Sequence, residues 1–153
     1  MREIFEILRQ KGIKKEDLVA AALELHVPHP GVEGKRKARQ ILKKTFDNVF
    51  SDPNINALIL AGFHLEELAI QDSLPGMKNE DFKKDPVFLV ADEILGMAIA
   101  EYIGGTRARF EYVRFDIAKP GILKKLGPFV DDVICGVIAG VSSKMYTEAG
   151  EKK

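Results

Sequence analysis

The sequence predicts an all-α protein, a single-domain helical bundle of about six to seven helices around a central apolar helix. Three observations carry this. Apolar residues recur at helical spacing in seven segments, several of them bounded by helix start and stop residues. Only residues 106–116 allow a strand, and one strand has nothing to pair with. The 153 residues suffice for one core and define one domain over 1–153.

Residues 1–11 form the first expected helix, with Ile4, Phe5 and Leu8 on one face and Gly12 as its stop. KKEDLVAAALEL is the second, ended where Pro28 and Pro30 break the period. His26 and His29 flank Val27-Pro28, and loop histidines of this kind are more often solvated than metal ligands. Residues 34–50 make an amphipathic third helix, with Ala38, Ile41, Leu42, Thr45, Phe46 and Val49 on its apolar face. Its basic face holds Lys35, Arg36, Lys37, Arg39, Lys43 and Lys44. A solvated face is the ordinary reading; the functional one is docking on an anionic membrane or a phosphate-bearing substrate.

Ser51-Asp52-Pro53 starts the fourth helix, NINALILAGFHLEELAIQ, which is apolar over much of its circumference and is the expected central one. His64 and Glu67 lie one turn apart on it, as a surface pair would. Residues 72–84, with Pro75-Gly76, read as a loop. Asp85-Pro86 reads as an N-cap with proline at N1, opening the helix PVFLVADEILGMAIAEY, which Gly104-Gly105 closes. Residues 106–116 stay open between a strand, an extended connector and a helix. GILKKL is a short helix, Pro128 opens the last one, and the charged tail GEKK is expected to fray.

Lys plus Arg (23) equals Asp plus Glu (23), so bulk charge gives no ground for a nucleic-acid partner. The basic helix also lacks the interleaved aromatics of a single-strand binder. The single cysteine, Cys135, excludes an internal disulfide and fits a reducing, cytoplasmic compartment. Lying in an apolar run, it reads as an inert buried thiol. No signal peptide is visible and no apolar run reaches transmembrane length, so the chain is expected to be soluble.

Chemistry concentrates in two acidic pairs. Asp131 and Asp132 are the only charges in FVDDVICGVIAGV, and Gly136 and Gly140 lie on the face of Asp132. Glycine costs roughly 1 kcal/mol in a helix, so a glycine stripe points to close approach by another element. Asp92 and Glu93 are expected well inside their helix, beyond the reach of the helix dipole, with Gly96 and Met97 on the face of Glu93. An unpaired buried carboxylate costs several kcal/mol, so a buried cluster calls for a cation. Asp92, Glu93, Asp131 and Asp132 together suit Mg²⁺, which takes oxygen ligands. The alternative for Asp131 and Asp132 is that carboxylates in a first helical turn favour the dipole.

ADEILGM, FDIAKPGI and a VDD-x3-G helix, in that order and at this separation, resemble the phosphatidylglycerophosphatase A family. The likeness covers residues 54–146 and is greatest to the family's small soluble branch. The chain departs from membrane-bound members, which carry a glycine pair before the DD and a glycine-rich N-terminal motif; here the segments read LGPFVDD and INALILAGFHLEELA. The resemblance implies a Mg²⁺-dependent phosphatase that converts phosphatidylglycerophosphate to phosphatidylglycerol. A relative acting on α-ribazole phosphate sets a water-soluble substrate beside the lipid. A non-enzymatic helical module whose acids hold a structural ion is the reading from another class. Lys119 would be a point charge for phosphate, helped by Arg114, with Asp116 orienting it or carrying a proton. The expected partner is a phosphorylated substrate, lipid or small molecule, with peripheral contact at the inner membrane face if it is a lipid. The sequence leaves room for a homo-oligomer.

Overall fold

The computed structural model describes residues 3–151, eight α-helices and one 3-10 turn with no strand among them. The helices are α1 (Ile4–Gln10), α2 (Lys15–Glu24), α3 (Lys35–Phe50), α4 (Pro53–Ile70), α5 (Asn79–Phe82), α6 (Ala91–Gly104), α7 (Arg107–Ala118) and α8 (Pro128–Glu151). The 3-10 turn, Gly121–Lys125, links α7 to α8. The expected helix start at Met1 and the last two residues of the GEKK tail lie outside the described residues. Gly150 and Glu151 of that tail continue α8 rather than fray.

The central helix is α8, not α4 as the sequence led us to expect. Residues 129–143 of α8 are all buried, and it packs against α2, α3, α4, α6, α7 and the 3-10 turn. α4 buries only Ile55, Ile59, Gly62, Phe63 and Ala69, and leaves Leu60 and Ile70 exposed. The reason is side-chain size. Gly136, Ala139, Gly140, Ser142 and Ser143 let neighbours approach α8 from several sides, whereas α4 presents bulky residues on most of its surface.

The glycine stripe makes a backbone-to-backbone contact between α8 and α6. A Cβ on Gly136 would lie 2.2 Å from the Gly96 carbonyl oxygen, and one on Gly96 would lie 2.4 Å from that of Asp132. Gly140 is similarly closed by Ile103 at 2.7 Å. These contacts hold the first turn of α6 against the first turn of α8, where the acidic pairs are.

Three local readings change. α6 starts at Ala91 rather than at Pro86. Asp85 adopts a left-handed backbone (φ 49°), which an N-cap does not, and Pro86 enters a tight turn with Leu89 N–H donating to its carbonyl. Asp92 and Glu93 therefore lie in the first turn of α6, within reach of its dipole, not deep in the helix. Residues 107–116 are helical, with Thr106 at the N-cap position. Ala108, Tyr112 and Phe115 recur at i, i+4 and i+7 and are buried, so the Phe110–Tyr112 alternation joins opposite faces of α7. Residues 72–84 include α5, whose Phe82 stacks on Phe129 at 5.8 Å and pins the approach to α6 onto the start of α8.

Candidate active site

Three helix ends meet at the site: the first turns of α6 and α8 and the last turn of α7. Pro128 suits the first turn of α8, where its missing N–H costs nothing. Asp131 N–H donates to Gly127, and the Glu66 carboxylate of α4 accepts from Val130 N–H at 3.2 Å. Glu66 thus caps the helix that carries the DD pair. Nothing in local sequence links Glu66 to a helix 60 residues on.

α7 closes on Lys119, which takes a left-handed conformation (φ 47°) before Pro120 stops the helix. For a non-glycine residue that conformation costs about 1–3 kcal/mol and persists where surroundings enforce it. Here three carboxylates hold the side chain. Lys119 Nζ donates to Asp116 Oδ1 at 2.8 Å and to Asp131 Oδ2, and lies 3.8 Å from Asp132 Oδ1. Burial works against the lysine's charge, but the hydrogen bonds it donates to Asp116 and Asp131 outweigh it and hold the pKa above its ordinary value.

Asp116, Asp131 and Asp132 each present an oxygen within 4.8 Å of the others. Asp92 is buried close enough for its charge to act on Asp132, and its Oδ1 accepts from Glu93 N–H at 2.9 Å. Tyr112 OH donates to Asp132 Oδ1 at 2.9 Å. Burial pushes Asp132 up to about 8; the Tyr112 hydrogen bond opposes this and the charge of Asp92 adds to it. Burial likewise raises Asp131 to about 6 against the pull of Lys119, and raises Asp92. Asp131 Oδ1 is buried with no hydrogen-bond partner. An orphaned acceptor beside carboxylates crowded by like charge, with an all-oxygen donor set, fits a hard divalent cation.

The expected residues do not all play their expected parts. Asp92, Asp131, Asp132, Asp116 and Lys119 come together. Glu93 is exposed at the mouth; desolvation and the charges of Asp92, Asp116 and Asp85 raise its pKa. Asp116, besides accepting from Lys119, presents an oxygen within 4.8 Å of those of Asp131 and Asp132. Arg114 points elsewhere: it forks onto Glu111 at 2.8 and 2.9 Å and donates to the Leu25 carbonyl, tying α7 to the end of α2. Helical spacing gives the reason, since Arg114 and Asp116 lie about 160° apart round α7.

Sequence reasoning missed Tyr112 and Asp85. Tyr112 falls in the segment left open, and only its helical register shows that it faces α8. Asp85 lies close enough for its charge to raise Asp92, Glu93 and Asp131, and its signal was masked by the N-cap reading. His26 bonds the Val32 carbonyl, His29 packs on Tyr146 and His64 faces Glu67 at 3.9 Å, so none belongs to the cluster. Cys135 is buried, and burial pushes its thiol well above the ordinary value. A hollow of about 900 Å³ beside Met77, Lys78 and Lys83 does not include the cluster.

Fold and site together define an all-helical bundle with a cluster of carboxylates and one lysine where α6, α7 and α8 meet. A profile of the phosphatidylglycerophosphatase A family matches residues 17–147, and the chain belongs to that family. Membership implies a phosphatase activity. An uncharacterized protein of Methanocaldococcus jannaschii is 37% identical over 116 residues, which span 73% of this chain and 85% of that one. The fold is similar to the low temperature requirement C protein of Listeria monocytogenes (TM-score 0.80, 24% identity, 95% of this chain and 93% of that one). It is also similar to protein ypjQ of Bacillus subtilis (TM-score 0.80, 21% identity, 98% and 94%).

Proposed function

We propose that this protein is a metal-dependent phosphatase that hydrolyses a phosphate monoester, with phosphatidylglycerophosphate as the substrate the family name favours. The observation that carries the metal is the orphaned Asp131 Oδ1 in a buried group of carboxylates whose bonded cation is Lys119. Asp131, Asp132, Asp116 and Asp92 would hold Mg²⁺, with Glu93 at the rim. When bound, such an ion would supply Lewis-acid charge for phosphate oxygens and make a bound water more acidic. Lys119 supplies positive charge for the phosphate oxygens, an interaction that strengthens as charge shifts in the transition state. Asp116, partly open to solvent, would take the proton of the attacking water, and solvent would protonate the departing alkoxide. Tyr112 fixes Asp132 from behind, and the glycine contact between α6 and α8 keeps the acids in register.

A water-soluble phosphomonoester such as α-ribazole phosphate is the second reading. It is favoured by the lack, among the described residues, of any helix long and apolar enough to cross a membrane. A phosphatase panel with lipid and soluble monoesters, run with Mg²⁺ and with chelator, tests both. Mg²⁺-dependent phosphate release is expected, and the better substrate separates the two. No release from any monoester leaves the non-enzymatic, ion-holding module.

A further inference from the structure

The outer face of α7 is apolar. Ala108, Tyr112 and Phe115 face the core, while Phe110, Val113 and Ile117 recur at helical spacing on the opposite side. Phe110 is 73% exposed and Ile117 79%, where a solvent-facing helix normally carries polar groups. Because α6 and α7 form a hairpin, the start of α6, which exposes Ile94, lies toward the end of α7 that carries Ile117.

Two observations choose the partner. An anionic lipid surface is met by apolar and basic residues side by side. Here the unbalanced basic cluster lies on α3, which packs on α2, α4 and α8, whereas α7 sets Arg107, Arg109 and Arg114 against Glu111 and Asp116, with Arg114 already paired to Glu111. The second observation is the order of charge along α7. Its first turn carries Arg107 and Arg109, and its last turn carries Asp116. Antiparallel pairing of two copies sets unlike ends together. With a two-fold axis beside Val113, Phe110 of each copy meets Ile117 of the other, since these lie three and four residues from Val113. Arg109 and Asp116 share one flank of the stripe, so the same axis brings Arg109 of each copy to Asp116 of the other. Within its own chain Arg109 reaches Glu101 only at 3.8 Å, with about half its side chain exposed.

We propose that two copies of this chain pair antiparallel through α7, and that each lends Arg109 to the mouth of the other's acidic site. The pairing rests on the surface alone; the use of Arg109 on substrate phosphate rests on the phosphatase reading above.

Sedimentation and light scattering on the full chain test the pairing. The wild type is expected at the mass of a dimer. Phe110→Glu with Ile117→Glu is expected to give a monomer with unchanged helicity, since both side chains are exposed. Arg109→Glu is expected to raise the dimer dissociation constant at least tenfold. Val113→Cys should form an intermolecular disulfide under mild oxidation, whereas Lys44→Cys on α3 should not; Cys135 is buried and does not interfere. A monomeric wild type, or a dimer indifferent to the double substitution, overturns the pairing. A monomeric wild type that binds anionic vesicles, and loses that binding in the double variant, reassigns the face to a membrane. If the dimer forms as described and no monoester is cleaved, the phosphatase reading fails and the pairing stands. If the dimer is active and Arg109→Ala leaves KM unchanged, the lending of Arg109 fails by itself.

Discussion

Asp132 is where burial, the neighbouring charge of Asp92 and the Tyr112 hydroxyl act on one carboxyl group. Its folded pKa of about 8 lies above the ordinary carboxylate value, so the folded protein holds that proton more tightly than the unfolded chain. Its contribution to stability is full at low pH and is lost as pH rises through about 8. In chelator, the protein should melt higher at about pH 5.5 than at about pH 8.5, and Asp132→Asn should flatten that slope. The substitution keeps size and removes a repelled charge, so at the higher pH the metal-free variant should be more stable than wild type. A gain of about 1 kcal/mol raises Tm by about 2–4 °C in a domain of this size. Activity and stabilisation by Mg²⁺ should both fall, activity by on the order of 100-fold. Were Asp132 only a helix-start residue, the variant would lose about 0.3–1 kcal/mol and its Mg²⁺ response would not change. Tyr112→Phe acts on the same oxygen from outside the metal's reach. Loss of such a support typically costs about 10–100-fold in metal affinity or activity. A Mg²⁺ titration of activity reads the shift, and an unchanged midpoint and rate would remove Tyr112 from the site.

At the scale of elements, the α6–α8 crossing decides whether the acids meet. Adding one methyl at Gly136 puts a Cβ 2.2 Å from the Gly96 carbonyl oxygen, and backbone cannot yield as a flexible side chain can. Gly136→Ala should therefore cost about 1–3 kcal/mol or more, read in thermal melts, although alanine is the better helix former. Activity should fall further than stability alone explains, because α6 carries Asp92 away from Asp132. Gly12→Ala is the contrasting case: its Cβ meets nothing within 4 Å, and its cost comes only from a backbone at φ 77°.

For the whole molecule, the basic face of α3 and the acidic site lie on different helices of one bundle. Lys43 is partly engaged with Glu16 at 3.1 Å, while Lys35, Arg36, Lys37 and Lys44 are exposed. For a lipid substrate, each basic residue near an anionic surface is worth about 1 kcal/mol. Changing Lys37, Lys43 and Lys44 to Glu should then weaken vesicle binding most clearly at low salt, in a flotation assay. Vesicle binding that does not change in the variant, or is lacking in the wild type, favours the water-soluble substrate.

Periodicity and capping chemistry by themselves determined that the chain is helical, that Pro128 opens the helix carrying Asp131 and Asp132, and that Gly136 and Gly140 mark a close contact. These depend on residues a few positions apart, which a sequence displays directly. Asp92 was legible as an acid in an apolar helix, though its place in the first turn was not, because Asp85-Pro86 carries the same residues as a helix start. Tertiary structure alone decided that α8 rather than α4 is central, since both are apolar and only packing weighs small side chains against large ones. It alone turned Arg114 away from the acids and Tyr112 onto Asp132, and brought Glu66 to the start of α8. Those outcomes are set by helix register and by contacts between residues 20 to 90 positions apart, where the chain's return through space, not its local pattern, chooses the partner.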